Sequence, residues 1–257
     1  MSGSTKTSSD EPALHPRLLQ EADRAYLVRW GSREMLLSGA MALASTAGIL
    51  HLAYWHSPYW AALLLPVLPL GGLLILFFRN PRRQVPDGPG LMVAPADGTV
   101  VEVEPVEEPE YLEGEALKVS IFLSILNVHV NRAPASGQVE YVRHRPGRHL
   151  DARSSRCSRE NESQAVGIRL DERESTPGLK ILMRQISGAI ARRIVCPLAT
   201  GHAVTRGGLV GMIKYGSRTE LFVPSVPAGK VLRVLVQVGD RVVGGETVIF
   251  RVETVER

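Results

Sequence analysis

The sequence predicts an N-terminal transmembrane or re-entrant helical hairpin, followed by a mainly β domain of antiparallel sheet with few short helices. Two observations predict this division of the 257-residue chain. With His51 counted as neutral, no residue is charged from 35 to 55 or from 59 to 78. Each run has about the 20 residues that a helix needs to cross a bilayer. After residue 79, short runs of Val, Ile and Leu lie between Gly, Pro and Asp, a pattern typical of strands.

The two uncharged runs form one element, because only three residues, 56–58, separate them. The simplest interpretation is a hairpin over residues 35–78 that enters the membrane and returns. Aromatic residues cluster at its turn, as they do at membrane interfaces, and prolines and glycines in the second run predict a kinked or re-entrant helix. A buried core hairpin of a soluble fold is the alternative, and uncharged runs of this length disfavour it.

Arginines flank both outer ends of the hairpin, at 29 and 33 before it and at 79, 82 and 83 after it. The positive-inside rule then places both ends in the cytoplasm. We therefore expect a cytoplasmic tail over residues 1–34, a hairpin in the cell membrane, and a second domain over residues 79–257 on the cytoplasmic face.

The β domain is predicted from several apolar runs, with Gly239-Asp240 and Gly244-Gly245 as turns between the last of them. The stretch 187–195 (SGAIARRIV) is predicted as a short helix. The predicted strand regions are 91–103, 117–132, 164–170, 179–186 and 209–257.

Charge and cysteine content exclude some functional classes. Lys and Arg outnumber Asp and Glu by 30 to 26, giving a net charge of +4. No basic stripe with interleaved aromatics is present, so no nucleic-acid partner is expected, whereas an anionic membrane surface fits. Cys157 and Cys196 have no metal-ligand spacing, so we expect two free thiols and no bound metal.

The Gly216-Ser217 pair, in the stretch GMIKYGSRTELFVP, could carry chemistry. Glycine accepts strained backbone angles and leaves its carbonyl open to attack. The hydroxyl of the following serine is placed to attack that carbonyl and shift the acyl group from nitrogen to oxygen. Most Gly-Ser pairs are plain turns, so the surrounding sequence has to decide between the two interpretations.

Residues 207–224 resemble the processing site of the short-form phosphatidylserine decarboxylases, which are cut at a Gly-Ser bond. Six further segments resemble that family in the same order, so the resemblance covers nearly the whole chain from residue 77. These segments are FFRNPRR (77–83), APADGTV (94–100), LNVHVNRAPASGQVE (126–140), RENE (159–162), RQISGAIARRIV (184–195) and VQVGDRVVGGETV (236–248).

The resemblance implies that Ser217 is the nucleophile of self-cleavage and then becomes a covalent pyruvoyl cofactor. Cleavage after Gly216 would give a β chain of residues 1–216 and an α chain of residues 217–257. His129 matches the family histidine implicated in processing and decarboxylation, and histidine can hold or release a proton near neutral pH. Asp97 matches the aspartate thought to orient that histidine, as in a Ser-His-Asp arrangement.

The sequence departs from the family pattern at several positions. Long-form relatives carry a second histidine three positions after the first, where this chain has Arg132, so we assign Arg132 no acid-base role. In the loop before residue 160, His149 stands where relatives tend to have Phe. The Glu-Asn-Glu loop continues with Ser163 and Gln164 instead of Arg-Asn.

The implied activity is decarboxylation of phosphatidylserine to phosphatidylethanolamine and carbon dioxide. The expected partners are that lipid, the membrane and the two chains of the precursor, and a homodimer is compatible with such a β domain. Three alternatives stay open. They are a decarboxylase of another serine-headed lipid such as archaetidylserine, a non-enzymatic membrane-anchored hammerhead adaptor, and a membrane-anchored serine hydrolase that uses Ser217, His129 and Asp97.

Overall fold

The computed structural model describes residues 25–172, 174–189, 193–214, 216–226 and 229–254. Within these ranges, two apolar helices precede a mainly antiparallel β domain. The predicted fold class is therefore confirmed. Most of the predicted tail, residues 1–24, lies outside the described residues.

The hairpin consists of α1 (Ser32–Trp55) and α2 (Leu64–Leu76), joined through a 3₁₀ turn over Pro58–Leu63. By length and composition both helical stretches, Arg29–Trp55 and Pro58–Leu76, are long enough and apolar enough to cross a membrane. Few of their residues are buried, which separates them from the core helices of a soluble fold. The aromatic residues of the turn are exposed, with Tyr59 at 88 %.

The β domain contains fourteen strands in the described ranges, together with one short helix, α3 (Cys157–Glu160). The strands are β1 (Leu91–Val93), β2 (Gly98–Glu108), β3 (Gly114–Leu123), β4 (Val130–Arg132), β5 (Gly137–Arg145), β6 (Ser163–Leu170), β7 (Lys180–Ile186), β8 (Ile194–Val195), β9 (Ala203–Val204), β10 (Leu209–Ile213), β11 (Ser217–Pro224), β12 (Lys230–Val234), β13 (Arg241–Val242) and β14 (Val248–Thr254).

Three antiparallel sheets organise these strands. The largest has eight strands in the order β13-β2-β3-β11-β7-β6-β5-β9, and the two others have the orders β1-β14-β12 and β4-β10-β8. Alternate residues of the central strands meet in one apolar core, which includes Ile121, Ile168, Met183, Leu221 and Phe250. β11 lies in the middle of the large sheet, between β3 and β7, so both of its edges are paired.

Two local predictions need correction. The helix predicted over 187–195 is wrong at both described ends, because Ser187 and Gly188 have no regular secondary structure and Ile194–Val195 is strand β8 paired with β10. Residues 190–192 lie outside the described residues. The predicted strand region 117–132 is interrupted, because Ser124–Asn127 form a turn in which the Asn127 side chain caps the Ser124 N–H at 2.8 Å.

Candidate active site

The Gly216-Ser217 peptide bond lies where β11 begins. Ser217 pairs with Leu123 at the end of β3, and Arg218 pairs with Ile186 at the end of β7. Gly216 has φ +67°, in the left-handed region that glycine adopts without the penalty of a Cβ. The chain therefore turns at the glycine and enters β11 at the serine, which is paired with β3, and from Arg218 onward the strand is paired on both edges.

The hydroxyl of Ser217 is buried without a hydrogen-bond partner among the described residues. The whole residue has 0 % exposure, and its Oγ is one of the few buried side-chain atoms left unpaired. Leaving a buried hydroxyl unpaired costs about 1–3 kcal/mol, so such a group in a native fold calls for a functional explanation. An unengaged Oγ next to the Gly216 carbonyl fits a nucleophile.

His129 touches the same peptide segment. Its Nε2 lies 3.2 Å from the backbone nitrogen of Gly216, and its Nδ1 lies 3.0 Å from the carbonyl oxygen of Asn127. A backbone N–H can only donate, so Nε2 accepts and Nδ1 carries the proton that is donated to Asn127. The structure thus assigns a neutral imidazole with the Nε2 lone pair directed at the Gly216-Ser217 segment.

Burial keeps this imidazole neutral. It lowers the pKa of His129 to about 4, with the positive charge of Arg79 acting in the same direction and the Asn127 hydrogen bond opposing it. The ring of Phe77, at 4.2 Å between centroids, covers the histidine. At neutral pH His129 is therefore suited to accept a proton.

A second polar contact fixes His129 and Ser217 relative to each other. Asn131, two residues after the histidine, donates to Thr219 Oγ1 at 3.0 Å, and Thr219 lies two residues after Ser217. Gln185 of β7 donates to Asn131 Oδ1 at 2.7 Å. Three strands from two sheets are thereby tied together next to the Gly216-Ser217 bond.

The carbonyl side of the Gly216-Ser217 bond faces a loop held by Asn161. A Cβ added to Gly188 would collide with the carbonyl oxygen of Gly216. Asn161, fully buried, donates to the carbonyls of Leu150 and Ser187 at 2.9 and 2.8 Å, and its Oδ1 accepts from the Leu150 N–H at 2.8 Å. Only a glycine at 188 lets this loop approach the carbonyl.

Comparison with known proteins matches this arrangement to one family. A sequence model described as phosphatidylserine decarboxylase matches residues 70–250. The chain belongs to the phosphatidylserine decarboxylase family. Similar relatives are the "phosphatidylserine decarboxylase proenzyme" of Carboxydothermus hydrogenoformans, 47 % identical over 76 % of this chain and 86 % of the relative, and that of Rhodopirellula baltica, 40 % identical over 87 % of both. The Geobacter sulfurreducens protein of the same name is 41 % identical over 78 % of this chain and 87 % of the relative.

In this member of the decarboxylase family, Asp97 lies apart from the contacts of His129. Its carboxylate accepts two hydrogen bonds from Arg83, at 2.8 and 2.9 Å, and one from the Gly244 N–H at 2.8 Å. Among the described contacts, the Asn127 carbonyl occupies Nδ1, the nitrogen that the aspartate of a triad would take. The structure thus brings Ser217, Gly216 and His129 together, and joins Asp97 to a neighbouring arginine.

Arg132, at the position of the second family histidine, makes structural contacts. It is 4 % exposed and donates to the carbonyl of Gly207 at 2.8 Å and to Asn80 Oδ1. These bonds join β4 to the segment that follows α2. The sequence predicts that Arg132 has no acid-base role. These contacts are consistent with that expectation, which stays a prediction.

Behind Ser217, the opposite face of β11 carries a buried network of charges. Arg218 and Glu220 are both 0 % exposed and pair with each other at 3.1 Å, and Arg218 also pairs with Glu102. Glu220 accepts a hydrogen bond from Ser158 at 2.6 Å. Because removing one partner of a buried pair is costly, this network holds the strand and the 150–160 loop in place.

Sequence reasoning gave no role to Phe77, Asn127, Asn161 or Gly188. All four lie within segments whose resemblance to the family was the available signal, namely FFRNPRR, LNVHVNRAPASGQVE, RENE and RQISGAIARRIV. Asn127 precedes His129 by two residues, but nothing in the sequence shows that its backbone oxygen holds the imidazole.

Proposed function

We propose that this decarboxylase is a precursor that cuts itself between Gly216 and Ser217, and that Ser217 becomes its pyruvoyl group. The observation that carries the proposal is the buried, unpaired Ser217 Oγ, next in sequence to Gly216, whose backbone N–H contacts Nε2 of a neutral His129. Ser217 is a suitable position for a pyruvoyl group, because it begins a strand that is paired on both sides and therefore stays fixed when the peptide bond before it breaks.

In the first step His129 Nε2 takes the proton from Ser217 Oγ, and Oγ attacks the carbonyl carbon of Gly216. The C–N bond breaks and the serine nitrogen takes the proton, which leaves an ester between the two residues. Loss of the Ser217 α-proton then expels the Gly216 carboxylate from Cβ. The dehydroalanine that results takes up a proton at Cβ and becomes an imine. Water then adds to the imine carbon and ammonia leaves, so a pyruvoyl group remains at the start of the α chain.

The pyruvoyl carbonyl, once present, supplies an electron sink for the bond that loses carbon dioxide. His129 holds the proton that is returned to the former α-carbon. We propose phosphatidylserine as the lipid, as the names of the relatives indicate, and phosphatidylethanolamine as the product. Asp97 is proposed to stabilise the fold around the site, through Arg83 and the Gly244 turn, without acting on His129.

The cut is proposed to leave both chains in one domain. β11, within the α chain, stays hydrogen-bonded to β3 and β7 of the β chain. We propose that the hairpin anchors the enzyme in the cell membrane and that the catalytic domain lies on the cytoplasmic face, as the flanking arginines indicate.

Intact mass of the detergent-purified protein tests this proposal. Two chains are expected, 1–216 and 217–257, with the small chain lighter than its encoded peptide by one ammonia. Ser217→Ala should stay whole and inactive, whereas Ser225→Ala, an exposed serine just after β11, should be cut normally. A single intact chain from active wild-type protein would refute self-cleavage.

A further inference from the structure

The membrane hairpin is docked on the active site. Phe77, directly after α2, covers His129, and Phe78 is 1 % exposed beneath Gly31. Glu34, in the first turn of α1, pairs at 2.5 Å with Lys214, which lies two residues before Gly216. The inner end of the hairpin is therefore fixed against the cleavage segment.

A groove of about 290 Å³ runs between the two helices from this inner end. Met41 and Ser45 of α1 and Val67 and Leu74 of α2 line its walls, and Glu34 and Phe78 lie at its inner end. Eleven residues separate Glu34 from Ser45, a rise of about 16 Å along a helix and about half the hydrocarbon thickness of a bilayer.

We propose that this groove binds one acyl chain of the diacyl phospholipid substrate, so that the headgroup reaches His129 from within the bilayer. The inference rests on the proposed function and adds a substrate-binding site to it. The polar end of the groove, with Glu34 and its partner Lys214, lies beside the cleavage segment, where the headgroup has to be.

The surroundings of the groove favour an acyl chain as its occupant. The outward faces around it are apolar and exposed, with Leu37 at 67 % and Leu65 at 78 %, as expected of helices surrounded by lipid. Within the bilayer, the abundant narrow apolar ligand is a lipid chain.

Ser45→Leu tests the site, because it adds bulk to the groove wall without removing a described contact. Ala44→Leu is the matched control, since the neighbouring exposed residue is absent from the groove lining. The substrates are dioleoyl- and dihexanoyl-phosphatidylserine, assayed after intact mass has shown that each variant is cut.

Ser45→Leu should lower kcat/KM for the dioleoyl lipid about tenfold, equivalent to displacing about two buried methylenes, and should leave the dihexanoyl lipid within twofold. Ala44→Leu should change neither. An equal loss on both lipids, or equal effects of the two variants, would overturn the groove assignment. An uncut or inactive wild-type protein would instead contradict the proposed function.

A binding measurement keeps the test independent of turnover. Phosphatidylserine with a photoactivatable diazirine in its acyl chain should label Met41 or Leu74 in the wild-type protein and lose that labelling in Ser45→Leu. Labelling confined to outward residues such as Leu43 and Leu68 would overturn the proposal.

Discussion

Self-cleavage is expected to persist at acidic pH, where an ordinary histidine would already be protonated. Burial lowers the pKa of His129 to about 4. At pH 5.5 such a group is about 97 % neutral, whereas a histidine with an unperturbed pKa near 6.5 is about 9 % neutral. If His129 is the base, the rate of self-cleavage at pH 5.5 should stay close to its value at pH 7. That rate is roughly tenfold above the one expected if the pKa of the histidine were 6.5.

The same depressed pKa makes the fold less stable in acid. Between pH 6.5 and 4 the unfolded chain binds a proton at this position and the folded chain does not, so stability falls as pH decreases. The contribution of His129 over that interval is about 3 kcal/mol. Folding therefore has to be followed by near-UV circular dichroism at each pH, and only folded samples should enter the rate profile.

The precursor can be made by cell-free translation into nanodiscs and shifted to pH values from 4 to 8, with both chains followed by intact mass. Phe77→Leu is the informative variant, because a smaller side chain admits water to His129 and should move the midpoint upward towards 6.5. A wild-type midpoint near 6.5, or a midpoint insensitive to Phe77→Leu, would contradict the assignment of His129 as the base.

Two further substitutions separate roles within the site. Gly188→Ala places a Cβ against the carbonyl oxygen of Gly216 and should slow self-cleavage at least tenfold. The control Gly114→Ala adds a Cβ that meets no atom within 4 Å and should leave the rate of self-cleavage unchanged. Equal rates of self-cleavage in the two variants would show that the contact at Gly188 is irrelevant. Asp97→Asn leaves Arg83 without its charge partner and should lower the free energy of unfolding by about 3–5 kcal/mol with little change in the cleavage rate of folded protein. A loss approaching 10⁴-fold in that rate would instead show that Asp97 orients His129.

Much of the fold could be predicted because its signals are local. Uncharged runs define the hairpin, and runs of Val, Ile and Leu define β3, β6, β7 and β10. β5, with the sequence GQVEYVRHR, was not predicted, because it contains more polar than apolar residues and therefore lacks the run of Val, Ile and Leu that marks the other strands. The stretch 187–195 was mistaken for a helix because its composition favours one, whereas pairing of Ile194–Val195 with β10 decides the structure.

The site was less predictable, because most of its contacts join residues distant in sequence. Ser217, Gly216 and His129 were found through family resemblance, and the structure brings them together. The imidazole tautomer depends on a backbone oxygen at Asn127, and its burial depends on Phe77 from the hairpin. Neither dependence follows from spacing or composition, because both arise from how the hairpin packs on the β domain.

Cleavage itself should change what His129 can do. The cut leaves a new carboxylate at Gly216, whose backbone N–H contacts His129 in the precursor. A nearby negative charge favours the protonated imidazole and raises its pKa, so the residue that accepts a proton before the cut becomes a proton donor after it. Decarboxylation of dihexanoyl-phosphatidylserine by the cut enzyme should then decline with rising pH at a midpoint well above 4, and ¹⁵N NMR should find His129 titrating at that same midpoint. If ¹⁵N NMR of the cut enzyme still finds His129 titrating near 4, the imidazole is neutral at pH 7 and another group donates the proton.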